Sequence, residues 1–129
     1  MDLQKIDMQI AKKQLEQIQE IIAGDKCFLR EIFHPDRDDV PTKHSLAHAY
    51  IEAGGATLDH FIEQSETYYI ISGSAIMHID QKTFDIQAGS SFIVPPKSHQ
   101  WIENTGNDKL EFLVIVDPPW QMDDEVVIT

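Results

Sequence analysis

The stretch HFIEQSETYYIISG, residues 60–73, decides how this chain is read. A strand-like run, HFI, is followed by a short polar turn, a second strand-like run, ETYYIIS, and a glycine. Side chains two apart on a strand share a face, so His60 and Ile62 lie together, as do Glu66, Tyr68 and Ile70. If the turn at Gln64 and Ser65 folds the chain back, His60 and Glu66 point into one cavity. A histidine and a carboxylate converging in this way can hold a divalent transition metal. They supply only two ligands, and Ile62 stands where a second histidine would complete the pattern.

Outward from this stretch the same rhythm continues. SLAHAYIEA, TLDHFI, ETYYIIS, AIMHID, KTFDI, SSFIVP, HQWIEN and KLEFLVIVD are short strand-like runs separated by Gly, Pro and Asp. Eight such runs at close spacing predict an all-β sandwich or barrel. KCFLREIF reads as a further strand, and HPDRDDVPTKH as a turn-rich loop. Upstream, Ile10, Ile18 and Ile22 recur at helical spacing with Leu15 and Ile21 beside them, which predicts an N-terminal α-helix over residues 1–24, stopped by Gly24. The barrel is expected over 25–117 and an acidic tail over 118–129, lying on the surface or against a neighbour.

With 129 residues the chain is expected to form one domain. An apolar share of 42% is enough for a core, and the single Cys27 forms no internal disulfide, which suits a reducing, cytoplasmic setting. No apolar run approaches a membrane span. The formal net charge of −12 argues against nucleic acid as a partner. A small-molecule ligand is the expectation.

GSSFIVPPKSHQWIEN, residues 89–104, offers further site candidates. His99 and Gln100 are adjacent, so a regular strand turns only one of them inward. Taken together, the two stretches resemble the cupin superfamily, small double-stranded β-helix (jelly-roll) barrels. The first cupin motif, G-x5-H-x-H-x3-E-x6-G, is met by Gly54, His60, Glu66 and Gly73, with Ile62 at the second histidine. The second, G-x5-P-x-G-x2-H-x3-N, is met by Gly89, Pro95 and Asn104, with Lys97 at its glycine and Gln100 at its histidine. ETYYIISGSAIMHI, VPPKSHQWIENTG and LEFLVIVDPPW are also similar to the small cupins labelled mannose-6-phosphate isomerase-like. The resemblance implies a cupin barrel and, in its metal-binding members, three histidines and a glutamate around a divalent metal.

Three arrangements of the cavity follow. A metal (Mn, Fe, Ni or Zn) is held by His60, Glu66 and Gln100, with Tyr68 beside them; or by His60, Glu66 and His99, the facial-triad set; or there is no metal, and His60 is a hydrogen-bonded polar group within an apolar barrel. The corresponding functions are a metal-dependent oxygenase or isomerase with an altered site, in which His60 and Tyr68 act on the substrate, and a non-catalytic binding module. His48 and His78 are expected on the surface, His34 and His44 in solvated positions, and Trp101 and Trp120 over the cavity or an interface. The FLVIV strand and the apolar N-terminal segment predict a homodimer.

Overall fold

The computed structural model describes residues 10–128. Eleven strands follow one another: β1 (Ile21–Ile22), β2 (Phe28–Phe33), β3 (Ser45–Ile51), β4 (His60–Ile62), β5 (Ser65–Ser72), β6 (Ser74–Ile79), β7 (Lys82–Gln87), β8 (Ser91–Val94), β9 (Gln100–Glu103), β10 (Leu110–Asp117) and β11 (Glu125–Val127). They form two antiparallel sheets, one of six strands in the order β1-β2-β3-β10-β5-β8 and one of five in the order β11-β4-β9-β6-β7. All eight strand-like runs from Ser45 onward become strands.

Alternation places the core between the sheets. Leu110, Phe112, Val114 and Val116 of β10 are buried, as are Tyr68 and Ile70 of β5, Ala75 and Met77 of β6, and Ile102 of β9. Each fully buried aliphatic or aromatic side chain contributes about 1.5–3 kcal/mol. Ile70, Met77, Ile86 and Leu110 are fully buried, and none of them lines the cavity that holds the site.

Three motif glycines, Gly54, Gly73 and Gly89, have φ between +80° and +90°. Gly73 shows why glycine is needed: a Cβ there would lie 2.6 Å from the backbone oxygen of Lys109. Lys97, which replaces a motif glycine, takes φ +67° all the same, a conformation costly for a side-chain-bearing residue. Its backbone N–H donates to the Ile62 carbonyl at 2.8 Å and ties this loop to β4. Asn104 holds a second loop by donating to the carbonyls of Ile51, Glu52 and Asp108.

Two expectations are corrected here. The described part of the predicted N-terminal helix, from residue 10, contains a 3₁₀ turn at Leu15–Gln17 and the edge strand β1, but no α-helix; residues 1–9 lie outside the described residues. A short helix has little stability of its own, and here the sheet edge captures the chain. Ile21 and Ile22 pair with Leu29 and Phe28, Ile18 accepts a hydrogen bond from Arg30 Nε, and Glu20 accepts one from the Tyr50 hydroxyl. The tail, expected as a surface cover, becomes a strand: β11 pairs with β4 and brings Val127 opposite His60.

Candidate functional site

β4 and β9 of one sheet face β5 of the other, and their inward side chains meet. His60 and Gln100 are cross-strand partners. From β5, Glu66 and Tyr68 project between the sheets. All four are buried, with exposures of 4% for His60, 1% for Gln100, 8% for Glu66 and 3% for Tyr68. The sequence-derived group therefore does come together.

Its hydrogen bonds are directional. Gln100 Nε2 donates to Glu66 Oε1 at 2.6 Å, and the Tyr68 hydroxyl donates to Gln100 Oε1 at 2.5 Å. Gln100 is thus occupied at both ends. His60 Nδ1 lies 2.8 Å from the Leu58 carbonyl, which can only accept, so this nitrogen carries the proton. His60 Nε2 faces Asp25 Oδ2 at 3.6 Å, an ion pair when the ring is protonated.

Burial pushes the Glu66 carboxyl up from its ordinary 4.5 to about 7, against the opposing pull of the His60 ring and the Gln100 hydrogen bond. Burial, reinforced by the Glu66 charge, raises the Tyr68 hydroxyl well above its ordinary range. Tyr68 is therefore a hydrogen-bond donor at neutral pH, not a base. Burial and the neighbouring Asp25 do the same to the Cys27 thiol.

These groups border a cavity of about 530 Å³ whose walls are largely apolar, including Ala47, Ala49, Ile62, Phe112 and Val114. Ile62 forms part of the wall without filling the space. Trp120 lines the cavity and donates from Nε1 to Glu125 Oε1 at 3.0 Å. Asp25 and Cys27, which sequence reasoning missed, belong to the turn before β2 and to its approach. Their signal was weak: Gly24-Asp25 reads as a helix stop, and they precede both motifs.

Other candidates fall elsewhere. His99 is not brought to the site: its side chain is 47% exposed, lies 3.4 Å from Asp59 and packs against the Phe61 ring. Gln100, its neighbour, is the residue turned inward. His48, expected on the surface, is buried on the outer side of β3 with its Nε2 3.0 Å from Glu111. His34, expected to be solvated, is 1% exposed; its Nδ1 accepts from the Asp36 N–H and its Nε2 donates to the Trp120 carbonyl at 2.6 Å. His78 stacks on Trp101 away from the cavity.

The residues do not fit a cupin metal. Ile62 offers no ligand atom, Gln100 is engaged at both ends, and His99 faces outward. Among the described residues, no group of three or more His, Cys, Asp or Glu side chains is disposed to hold a metal ion.

A profile of the cupin domain matches residues 47–116, the span that carries both motifs and part of the cavity wall. The chain belongs to the cupin family. This cupin is 34% identical to the uncharacterized protein MJ1618 of Methanocaldococcus jannaschii over 124 residues, covering 95% of this chain and 98% of that one. It is 39% identical over 51 residues to an oxalate-binding protein of Thermotoga maritima, a stretch covering 40% of this chain and 42% of the relative. Its fold is similar to that of the polyketide cyclase RemF from Streptomyces resistomycificus, with a TM-score of 0.72 at 17% identity and 89% of each chain covered. Cupins of this shape thus include proteins described by ligand binding and by catalysis, and the fold alone does not choose between them.

Proposed function

We propose that this cupin binds a small molecule in its barrel without a transition metal. The observation that carries the reading is the open cavity of about 530 Å³ with the buried Glu66–Gln100–Tyr68 chain and His60 at its wall. An apolar pocket with a few converging polar groups is the usual form of a ligand site. Buried polar groups need partners, and here the chain supplies them without a metal. The test is a thermal-shift screen of small metabolites in the presence of excess chelator. A ligand at a hundred times its Kd stabilises the folded protein by about 2.7 kcal/mol, so a rise in Tm that persists under chelation supports the reading. Binding that appears only after metal is added refutes it.

A second reading is metal-free proton transfer, in the manner of an isomerase. It is favoured by Glu66, whose carboxyl near 7 suits donation and acceptance at neutral pH, and by His60 Nε2, which borders the cavity beside Asp25. Solvent-deuterium exchange into a bound ligand, lost in Glu66→Gln, tests it.

The homodimer remains part of the proposal. Tyr69, Ile71, Ile93 and Ile115 are exposed on the outer face of the six-stranded sheet, where Ile115, Thr67 and Ile93 stand side by side across three strands. Such a face suits a second copy. Sedimentation showing only monomer at micromolar concentration refutes it.

A further inference from the structure

We propose that the ligand of the barrel is an uncharged, largely hydrocarbon molecule with a flat ring body. The inference rests on the small-molecule reading above and names the class of molecule that the walls select.

The cavity owes its size to β3. Its inward side chains Ser45, Ala47 and Ala49 are small, and Ala47 and Ala49 stand opposite Val114 and Phe112 of β10. The space left is about 530 Å³. An apolar cavity of about 150 Å³ takes up one benzene, so this one has room for about two or three fused rings. Tyr68, Phe112 and Trp120 present aromatic rings to it. Trp120 is fixed there from three sides: its backbone N–H donates to Ser45 Oγ at 3.0 Å, its indole N–H donates to Glu125 Oε1 at 3.0 Å, and its carbonyl accepts from His34 Nε2 at 2.6 Å. A ring already held in place gives up little freedom when a second ring packs on it. At the rim, Ile21, Ile22 and Met122 line the same cavity and are 49%, 64% and 74% exposed. A ligand of hydrocarbon that fills the barrel and reaches the rim covers these side chains as well.

The charged groups on the wall are already partnered within the chain. His60 Nε2 faces Asp25, Arg37 donates to Glu31 at 2.6 Å, Gln100 donates to Glu66, and Trp120 donates to Glu125. A ligand ammonium or carboxylate would therefore find no free opposite charge, or would have to break one of these pairs. Burying an ion without a partner costs far more than burying hydrocarbon. The wall thus discriminates against ligand charge of either sign, and the binding energy comes from the apolar surface.

The test is calorimetric titration of the intact, chelator-treated protein at neutral pH with three probes of one shape: 2-naphthylmethanol, 2-naphthoate and 2-naphthylmethylammonium. The alcohol is expected to bind at one molecule per chain and about tenfold or more tightly than either ion. Ala47→Leu, which fills the space from β3, is expected to lower alcohol affinity by about tenfold or more, and Ile22→Ser at the exposed rim by about threefold, with the Tm of the free protein kept. If either ion binds as tightly as the alcohol, the assignment of an uncharged ligand is overturned and the small-molecule reading stands. Alcohol affinity unchanged in both variants also overturns it, because the probe then sits outside this cavity. If none of the three binds while a polar metabolite raises the Tm under chelation, the class is wrong and the small-molecule reading holds; if nothing binds in either experiment, both fail.

Discussion

Replacing Glu66 with glutamine isolates the energetic consequence of burying a carboxyl between the sheets. Its ordinary value of 4.5 is raised to about 7 in the folded protein. Between these two values the folded chain holds a proton that the unfolded chain has released. Stability from this group is therefore fully present below about 4.5 and declines as pH rises, and it is lost once pH passes about 7. At about 1.4 kcal/mol per pH unit, the whole window is worth about 3 kcal/mol. Glutamine keeps the shape, keeps an oxygen for the Gln100 amide, and cannot ionise. Urea denaturation of wild type and Glu66→Gln at a series of pH values from 4.5 to 8.5 is the assay. The variant is expected to gain on wild type steadily across the window, by about 3 kcal/mol at the alkaline end. A difference that does not change with pH would refute the assignment of a raised Glu66 pKa and, with it, the proton-transfer reading.

Three further outcomes are expected. Lys97→Gly relieves the left-handed strain at a position where the side chain is 69% exposed, and should raise stability by about 1 kcal/mol in chemical denaturation; an unchanged or lower value contradicts the strain argument. Gln100→Ala leaves the Tyr68 hydroxyl and Glu66 Oε1 without partners and should cost about 3 kcal/mol, while a carbon-13 titration of the carboxyl shows Glu66 moving still higher. Ile115→Lys places a charge in the middle of the exposed outer-sheet face, and should shift a sedimenting dimer to monomer without lowering the Tm of the barrel; a dimer that persists rejects that face as the interface.

The barrel was legible because its signal is local and repeated. Period-two alternation and turn residues fixed each strand from Ser45 onward, and Gly54, Gly73 and Gly89 fell where the backbone needs positive φ. The gathering of His60, Glu66, Tyr68 and Gln100 followed from the same alternation once the cupin motifs set the register. The N-terminal segment was misread because its isoleucines satisfy a helical spacing, whereas the available edge of β2 and contacts from Arg30 and Tyr50 decide its conformation. No local pattern carries that competition. The missed site residues failed for a related reason. Asp25 reaches His60 only because the turn from Ala23 to Cys27 is anchored to the barrel, with the Asp25 carbonyl accepting from the Leu58 N–H at 2.8 Å. That contact joins positions 33 residues apart in the chain. His34 likewise looked solvated until the chain after β10 brought the Trp120 carbonyl to it.

Elemental analysis of the untagged protein tests the central claim, a metal-free ligand site, most directly. It would be made on wild type and His60→Ala after incubation with Mn²⁺, Fe²⁺, Ni²⁺ and Zn²⁺ and removal of the excess. The account predicts far less than one metal per chain in both, because Ile62 gives no ligand and Gln100 is bonded at both ends. One equivalent of metal in wild type that disappears in His60→Ala would contradict it.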